Sequence, residues 1–316
     1  MHPGKEVLWR RAPARLARVF LLLLLSACST FKPPLAVDHL PAWVAHRPLD
    51  LGRDPVALVL SGGSARGFAH IGVIKVLEAN GLRPDIVVGV SAGSMIGAFY
   101  ASGMSAAQLE HAASRLDLSL FNDLTLPALF FLPGELGLIR GDKLQEFVAR
   151  QAGNRDIETL PLRFAAVATD LQHGTPVIFN SGDTGLAVRA SSSVPVIFTP
   201  AEFGGRRYAD GQLVSPLPIA AARALGAKVV IAVDATFPPG DAFLANPLSV
   251  LFQSLTIATQ RIKENELPGA TLVITPAMHT SSQFSISDRK MLIDAGETAA
   301  LRMLPEIKSA FARSSH

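Results

Sequence analysis

Residues Val56–Gly93 read VALVLSGGSARGFAHIGVIKVLEANGLRPDIVVGVSAG. A short apolar run, Val56–Leu60, ends in the glycine-rich turn Ser61–Gly67, and a stretch of helical period follows from about Arg66 to Asn80. A second apolar run, Ile86–Val90, breaks at Ser91 and gives way to another helical stretch from about Ala92. Strand, helix, strand and helix in succession make a parallel βαβ unit. Strands are expected again at Phe164–Ala168 and Lys228–Val233, with a helix at about Pro218–Leu225. The fold class is therefore α/β, with a mostly parallel sheet covered by helices on both faces.

Gly89-Val90-Ser91-Ala92-Gly93 is a G-x-S-x-G pentapeptide at a strand exit and helix entry. A serine forced into so tight a turn projects its hydroxyl clear of the sheet, and the flanking Gly89 and Gly93 leave room that a Cβ would block. Ser91 is the candidate nucleophile; the competing reading is a turn whose serine only caps the helix. The segment Gly62-Gly63-Ser64-Ala65-Arg66-Gly67 also joins a strand to a helix, where peptide N–H groups can hold an anion. No Gly-Lys-Ser/Thr follows it, which excludes a P-loop. A dinucleotide site needs glycine where Ser64 stands, although Asp85 lies where a ribose-binding acid could be. An oxyanion hole is the use that also explains Ser91.

A serine hydroxyl needs a base. A Ser-Asp-His triad requires a late histidine, and of His111, His173, His279 and His316 only His279, in AMHTSSQFS, falls in the expected region. The alternative is Asp210 in Tyr208-Ala209-Asp210-Gly211-Gln212, which follows the loop Phe203–Arg207 and precedes a proline-rich turn. An acid there can face a cleft, though Asp-Gly is also an ordinary turn signal. Asp170 and Asp234, at other strand ends, read as structural. The irregular apolar stretch Leu120–Ile139 is either a core-packing connection or a cap over a site that receives acyl chains.

The chain has 316 residues, 49% hydrophobic and 17% charged, with 25 Gly and 22 Pro spread along it, which excludes collagen and a disordered tail. Its net charge of +3 arises in the first 27 residues, where Lys5, Arg10, Arg11, Arg15 and Arg18 face only Glu6. The remaining 24 basic and 25 acidic residues leave no footprint for nucleic acid. Val19–Leu25 (VFLLLLL), followed by Ser26-Ala27, completes a signal-peptide pattern. The run is shorter than the about 20 residues a transmembrane helix needs. Leu25-Ser26-Ala27-Cys28 resembles the lipobox of bacterial lipoproteins and would make the single cysteine, Cys28, a lipid anchor; Ser29 after it favours an outer membrane. The expected organisation is a signal peptide at 1–27, a proline-rich tether at 28–50 and a folded body at 51–316.

LSGGSARGFAHIGVIKVLE (Leu60–Glu78), GVSAGS (Gly89–Ser94), VATDL (Val167–Leu171), RASSSVPVIFTP (Arg189–Pro200), YADGQLVSPLP (Tyr208–Pro218) and VVIAVD (Val229–Asp234) together resemble the bacterial patatin-like phospholipases. The resemblance implies a three-layer α/β/α fold and a Ser-Asp dyad. On it, Ser91 is the nucleophile, Asp210 the base and Gly62, Gly63 and Ser64 the oxyanion hole, with Arg66, Gly67, Gly89, Gly93 and Gly211 supporting the motifs. Two positions depart from the family pattern. Ser64 replaces its middle glycine, so a positive φ there would be strained. Gln212 replaces a Gly or Ala and could narrow the cleft or bond to the acid.

The implied activity is hydrolysis of a phospholipid or lysophospholipid ester through an acyl-enzyme, on an exported, membrane-anchored chain, with no metal and no cofactor. The sequence offers neither zinc-ligand spacing nor a calcium loop. The alternatives are a small-ester or thioester hydrolase, and a tethered binding or envelope protein with little turnover.

Overall fold

A computed structural model describes residues 38–45, 49–124, 136–240, 246–278 and 286–314. In chain order these form β1 (Val56–Leu60), α1 (Ala69–Ala79), β2 (Ile86–Val90), α2 (Ala92–Ala101), α3 (Ala106–Ser114), β3 (Gly137–Ile139) and α4 (Asp142–Gln151). Next come β4 (Arg163–Asp170), β5 (Thr175–Phe179), α5 (Thr184–Ser191), β6 (Val196–Phe198), β7 (Ala201–Phe203) and β8 (Arg206–Asp210). The chain continues through α6 (Ile219–Ala224), β9 (Val229–Val233), α7 (Pro247–Glu266), β10 (Leu272–Ile274), α8 (Arg289–Arg302) and α9 (Leu304–Arg313).

Strands β10, β9, β1, β2 and β4 lie side by side in that order, all parallel. Strands β1, β2 and β9 are buried along their whole length, which is why VALVL, IVVGV and VVIAV are unbroken apolar runs rather than alternating ones. Alternate residues serve opposite faces. Leu58, Leu60 and Val87 pack with Ile71 and Ile74 of α1, Phe99 of α2 and Leu292 of α8. Ala57, Val59, Ile86 and Val88 pack with Ile219 and Ala222 of α6. The result is a three-layer α/β/α sandwich. Each fully buried Leu, Ile or Phe stabilises it by about 1.5–3 kcal/mol.

Three differences from the sequence reading matter to the site. The expected helix from Arg66 begins as a tight 3-10 segment, Ser64–Phe68, before α1, because the N–H of Arg66 bonds back to Gly63 O at 2.9 Å. Strand β4 is longer than Phe164–Ala168 and overruns β2 by three residues. The apparent loop Phe203–Arg207 is a β-hairpin: Gly204 and Gly205 take φ of 60° and 72°, the two left-handed positions of a tight turn between β7 and β8.

The registers place β8. Ala166 and Val167 of β4 pair at once with β2 and with β5, while Ala168, Thr169 and Asp170 pair at once with β5 and with β8. A strand has two edges, so β2 and β8 share one edge of β4, end to end. Strand β2 climbs that edge to Val90 opposite Val167; β8 descends antiparallel to Asp210 opposite Ala168. The C-terminal ends of the two strands therefore meet.

Residues 1–37, including Cys28 and the signal segment, lie outside the described residues, as do 46–48 of the tether, residues 125–135 of the apolar stretch, His279 and His316. No helix among the described residues is long and apolar enough to cross a membrane.

Candidate active site

Ser91 leaves β2 with φ 53° and ψ −127°. A non-glycine residue held in so sparsely populated a conformation costs about 1–3 kcal/mol. Its surroundings fix it there. The Ser91 N–H donates to Ser191 Oγ at 3.0 Å, Ser191 Oγ donates to Val167 O at 2.6 Å, and Ser94 Oγ donates to Ser91 O at 2.6 Å. The turn is also a place of close passage: a Cβ on Gly89 would lie 2.3 Å from Gly93 O, one on Gly93 2.3 Å from Leu60 O, and one on Gly67 2.6 Å from Ala92 Cβ. The residue is 4% exposed.

Asp210 ends β8 directly beyond the end of β2, 2% exposed. Its neighbour Gly211 makes that approach possible, since a Cβ there would stand 2.2 Å from Val167 O and 2.7 Å from Val90 Cγ2. The Asp210 N–H donates to Ser193 O at 2.8 Å, and Thr169 Oγ1 donates to Asp210 O at 2.7 Å, so the backbone is held on both sides. Carboxylate Oδ1 accepts the Gln212 N–H at 2.9 Å, while Oδ2 is buried with no hydrogen-bond partner among the described residues. Burial pushes the carboxyl up to about 6, against the Ser91 hydroxyl and the Gln212 N–H, which both favour the ionised form. The serine is thus close enough to act on the acid, although no aligned hydrogen bond joins them. Loose alignment of this kind is usual before a substrate is bound.

The Gly62–Ser64 turn lies beside this pair. No described group accepts from the N–H groups of Gly62, Gly63 or Ser64. The turn is held from below instead. Ser61 Oγ accepts the Ala235 N–H at 2.7 Å and donates to Gly62 O at 2.9 Å, and Arg66 Nε donates to Ala235 O at 3.0 Å. Gly63 rests so closely on Ala235 that a Cβ would come within 2.3 Å of its carbonyl oxygen. Ser64 takes the strained positive φ, 48°. His70, fully buried, bonds through Nε2 to Ser61 O at 2.9 Å; burial lowers it to about 4, so the ring is neutral and that nitrogen donates. Arg66 is buried over the ring of Phe237, with a guanidinium-to-centroid distance of 5.0 Å.

A cleft opens on this assembly, lined by Gly63, Ser64, Asp210 and Gln212 on one wall and by Phe252, Leu255 and Thr259 of α7 on the other. Ser91 itself does not line it. The Gln212 side chain lies across Gly62, where its Cδ would be 2.2 Å from a Cβ on that glycine. It therefore narrows the cleft, and its backbone, rather than its side chain, bonds to the acid.

The remaining candidates lie elsewhere. His111 is on α3. His173 caps a turn, bonded to Asp170 Oδ2 at 3.0 Å, and Arg206 reaches the same oxygen at 2.9 Å. Among the described residues, no group of His, Cys, Asp and Glu could hold a metal ion. Sequence reasoning missed Ser191, which ties the Ser91 turn to β4. It also missed Lys263 and Glu266 on the last turns of α7. The RASSS block contained the first without indicating its role; no local pattern marks the other two.

A family model described as patatin-like phospholipase matches residues 58–223, just over half of the chain. An uncharacterized NTE family protein of Mycobacterium tuberculosis is 36% identical over 195 residues, which cover 62% of this chain and 53% of that protein. A lysophospholipase of Debaryomyces hansenii is 30% identical over 190 residues, covering 58% of this chain and 12% of its own length. The chain thus spans about half the length of the mycobacterial relative and a small part of the yeast one. Among solved structures, VipD from Legionella pneumophila aligns with 89% of this chain and 73% of its own at 15% identity, with a TM-score of 0.47.

Proposed function

Because the chain belongs to the patatin-like phospholipase family, we propose that it is a serine acyl hydrolase acting on carboxylic esters of phospholipids or lysophospholipids through Ser91 and Asp210. Asp210 Oδ2 takes the hydroxyl proton as Ser91 Oγ attacks the ester carbonyl. The N–H groups of Gly62, Gly63 and Ser64 stabilise the charge that develops on the carbonyl oxygen, typically the largest single contribution to such a reaction. Collapse of the tetrahedral intermediate expels the alcohol, which receives the proton from Asp210 and leaves the acyl group on Ser91. A water molecule then gives a proton to Asp210 as it attacks the acyl-enzyme, and collapse of the second intermediate releases the fatty acid while Asp210 returns that proton to Ser91 Oγ.

The observation that carries this reading is the buried Oδ2 of Asp210, without a partner among the described residues, at the point where the ends of β2 and β8 meet. An acid raised to about 6 by burial is mostly ionised at neutral pH yet basic enough to accept a proton. The lysophospholipase name of the yeast relative supports the lipid class. The test is labelling by a fluorophosphonate probe, followed by product analysis on lysophospholipid, diacyl phospholipid and p-nitrophenyl butyrate, with Ser91→Ala as control. Labelling with release of fatty acid from the lipids supports the reading. Turnover of the small ester alone moves the substrate class, and no labelling of folded protein refutes the enzyme. The same reading anchors the chain to a membrane through Cys28, which incorporation of a palmitate analogue would test.

A further inference from the structure

Asp234 directly follows β9 and, in sequence, looks like a structural acid. In the structure it is one corner of a buried three-membered ring. Lys263 Nζ, from the last turn of α7, donates to Asp234 Oδ2 at 2.8 Å and to Thr236 Oγ1 at 2.8 Å. The Thr236 hydroxyl donates in turn to Asp234 Oδ1 at 2.6 Å, and the Thr236 N–H donates to the same oxygen at 3.0 Å. All three residues are buried.

The residue between the two acceptors is Ala235, whose peptide groups support the Gly62–Ser64 turn. Its N–H holds Ser61 Oγ, its carbonyl holds Arg66 Nε, and Gly63 rests against that carbonyl. Beyond Val233 the chain leaves the strand; the Asp234 N–H still donates to Ile274 O at 2.9 Å, but the ladder that fixes β9 does not reach Ala235. The side-chain ring takes over that work. The same turns of α7 reach the other half of the site, because Glu266 accepts Ser215 Oγ and, at 2.8 Å, the Leu217 N–H, a few residues after Asp210.

A buried ion pair is seldom the most stabilising filling for its space, since two charges must be desolvated to make it and an apolar replacement often does as well. A pair that clamps both neighbours of the supporting residue has a geometric use. We propose that Lys263 is a positioning residue for the oxyanion turn: it fixes Asp234 and Thr236, and through Ala235 sets where the Gly62–Ser64 N–H groups point. The proposal rests on the hydrolase reading above.

The experiment measures p-nitrophenyl butyrate turnover by the full chain, comparing wild type, Lys263→Met and Thr236→Val, with fluorophosphonate labelling of wild type and Ser91→Ala alongside. A small displacement of oxyanion donors acts on the transition state, so kcat of Lys263→Met is expected to fall about 10- to 100-fold, with KM within about twofold of wild type. Thr236→Val leaves both charges in place and removes only the bridging hydroxyl with its two hydrogen bonds; its kcat is expected to fall about threefold to tenfold, less than the loss of the cation. Folded Lys263→Met with a lowered melting temperature but wild-type kcat overturns the proposal, because that is the signature of a purely structural pair. If Lys263→Met does not fold, Thr236→Val decides: a lowered kcat at unchanged KM supports positioning, and an unchanged kcat overturns it. A wild type as unreactive to the probe as Ser91→Ala overturns the hydrolase reading itself, and this proposal with it.

Discussion

Replacing Asp210 with Asn is expected to make the protein inactive and more stable at alkaline pH. The folded carboxyl titrates at about 6 against an ordinary value of 3.8, because burial penalises its charge more than Ser91 and Gln212 relieve it. The folded protein therefore holds this proton more tightly than the unfolded chain. Between about pH 4 and 6 it carries more protons, so stability declines as pH rises through that window, and the full penalty persists above it. The difference corresponds to roughly 3 kcal/mol. Asparagine keeps the acceptor for the Gln212 N–H and puts an NH₂ group where Oδ2 has no partner among the described residues, from which it can donate to the Ser91 hydroxyl. At pH 8 the variant should melt roughly 5–10 °C above wild type, and the two curves should converge below pH 4. Thermal unfolding followed by circular dichroism across pH 4–8 measures this. Wild-type hydrolysis should meanwhile rise about tenfold from pH 5 to pH 7 as the base ionises, with no such limb in the variant. An Asn variant that melts at or below wild type at pH 8 would refute the reasoning, since Oδ2 would then be satisfied in a way its surroundings do not reveal.

Three other substitutions probe the rest of the site. Gly63→Ala must displace Ala235 or the oxyanion turn, because the new Cβ would meet a backbone oxygen at 2.3 Å; kcat should drop by about 100-fold or more with KM little changed, and steady-state kinetics on a soluble ester will show it. Ser91→Gly removes the proposed nucleophile and the Cβ held at φ 53°, so calorimetry should find an inactive protein stabilised by about 1 kcal/mol. Glu266 is pushed up to about 7 by burial, against its bonds from Ser215 and Leu217. By the same linkage wild type loses stability as pH rises from about 4.5 through 7, and Glu266→Gln should lose less, as melting curves at pH 6 and pH 9 will report.

The parts of the site legible in the sequence are those carried by local chemistry. VALVL and IVVGV are buried on both faces, so their strands show as apolar runs, and the glycines around Ser91 mark a close approach that a single stretch of chain can signal. Asp210 is different. An Asp-Gly pair looks like a surface turn until β4 is seen to overrun β2 and the Gly204-Gly205 hairpin is seen to fill the vacated edge. Two adjacent glycines are a hairpin signal, but Arg206 and Arg207, directly after them on an exposed part of the strand, break the apolar pattern that would mark a strand there. Lys263 has no local signature: on α7 it is one cation among the charges of the last turns, and only the tertiary arrangement sets it against Asp234, 29 positions earlier.

The end-to-end meeting of β2 and β8 has a consequence for how activity arises after synthesis. The parallel core, from β1 through β4, can assemble from residues 56–170 and the helices between them, whereas the acid arrives on a hairpin that joins β4 through only three residue pairs. So sparse a pairing, reaching from Ala168 to Asp210, has little to hold it until the edge of β4 that it needs is in place. Recovery of ester cleavage after dilution from denaturant should therefore lag behind recovery of helix and sheet, and turnover becomes a clock for one docking event at the margin of the sheet.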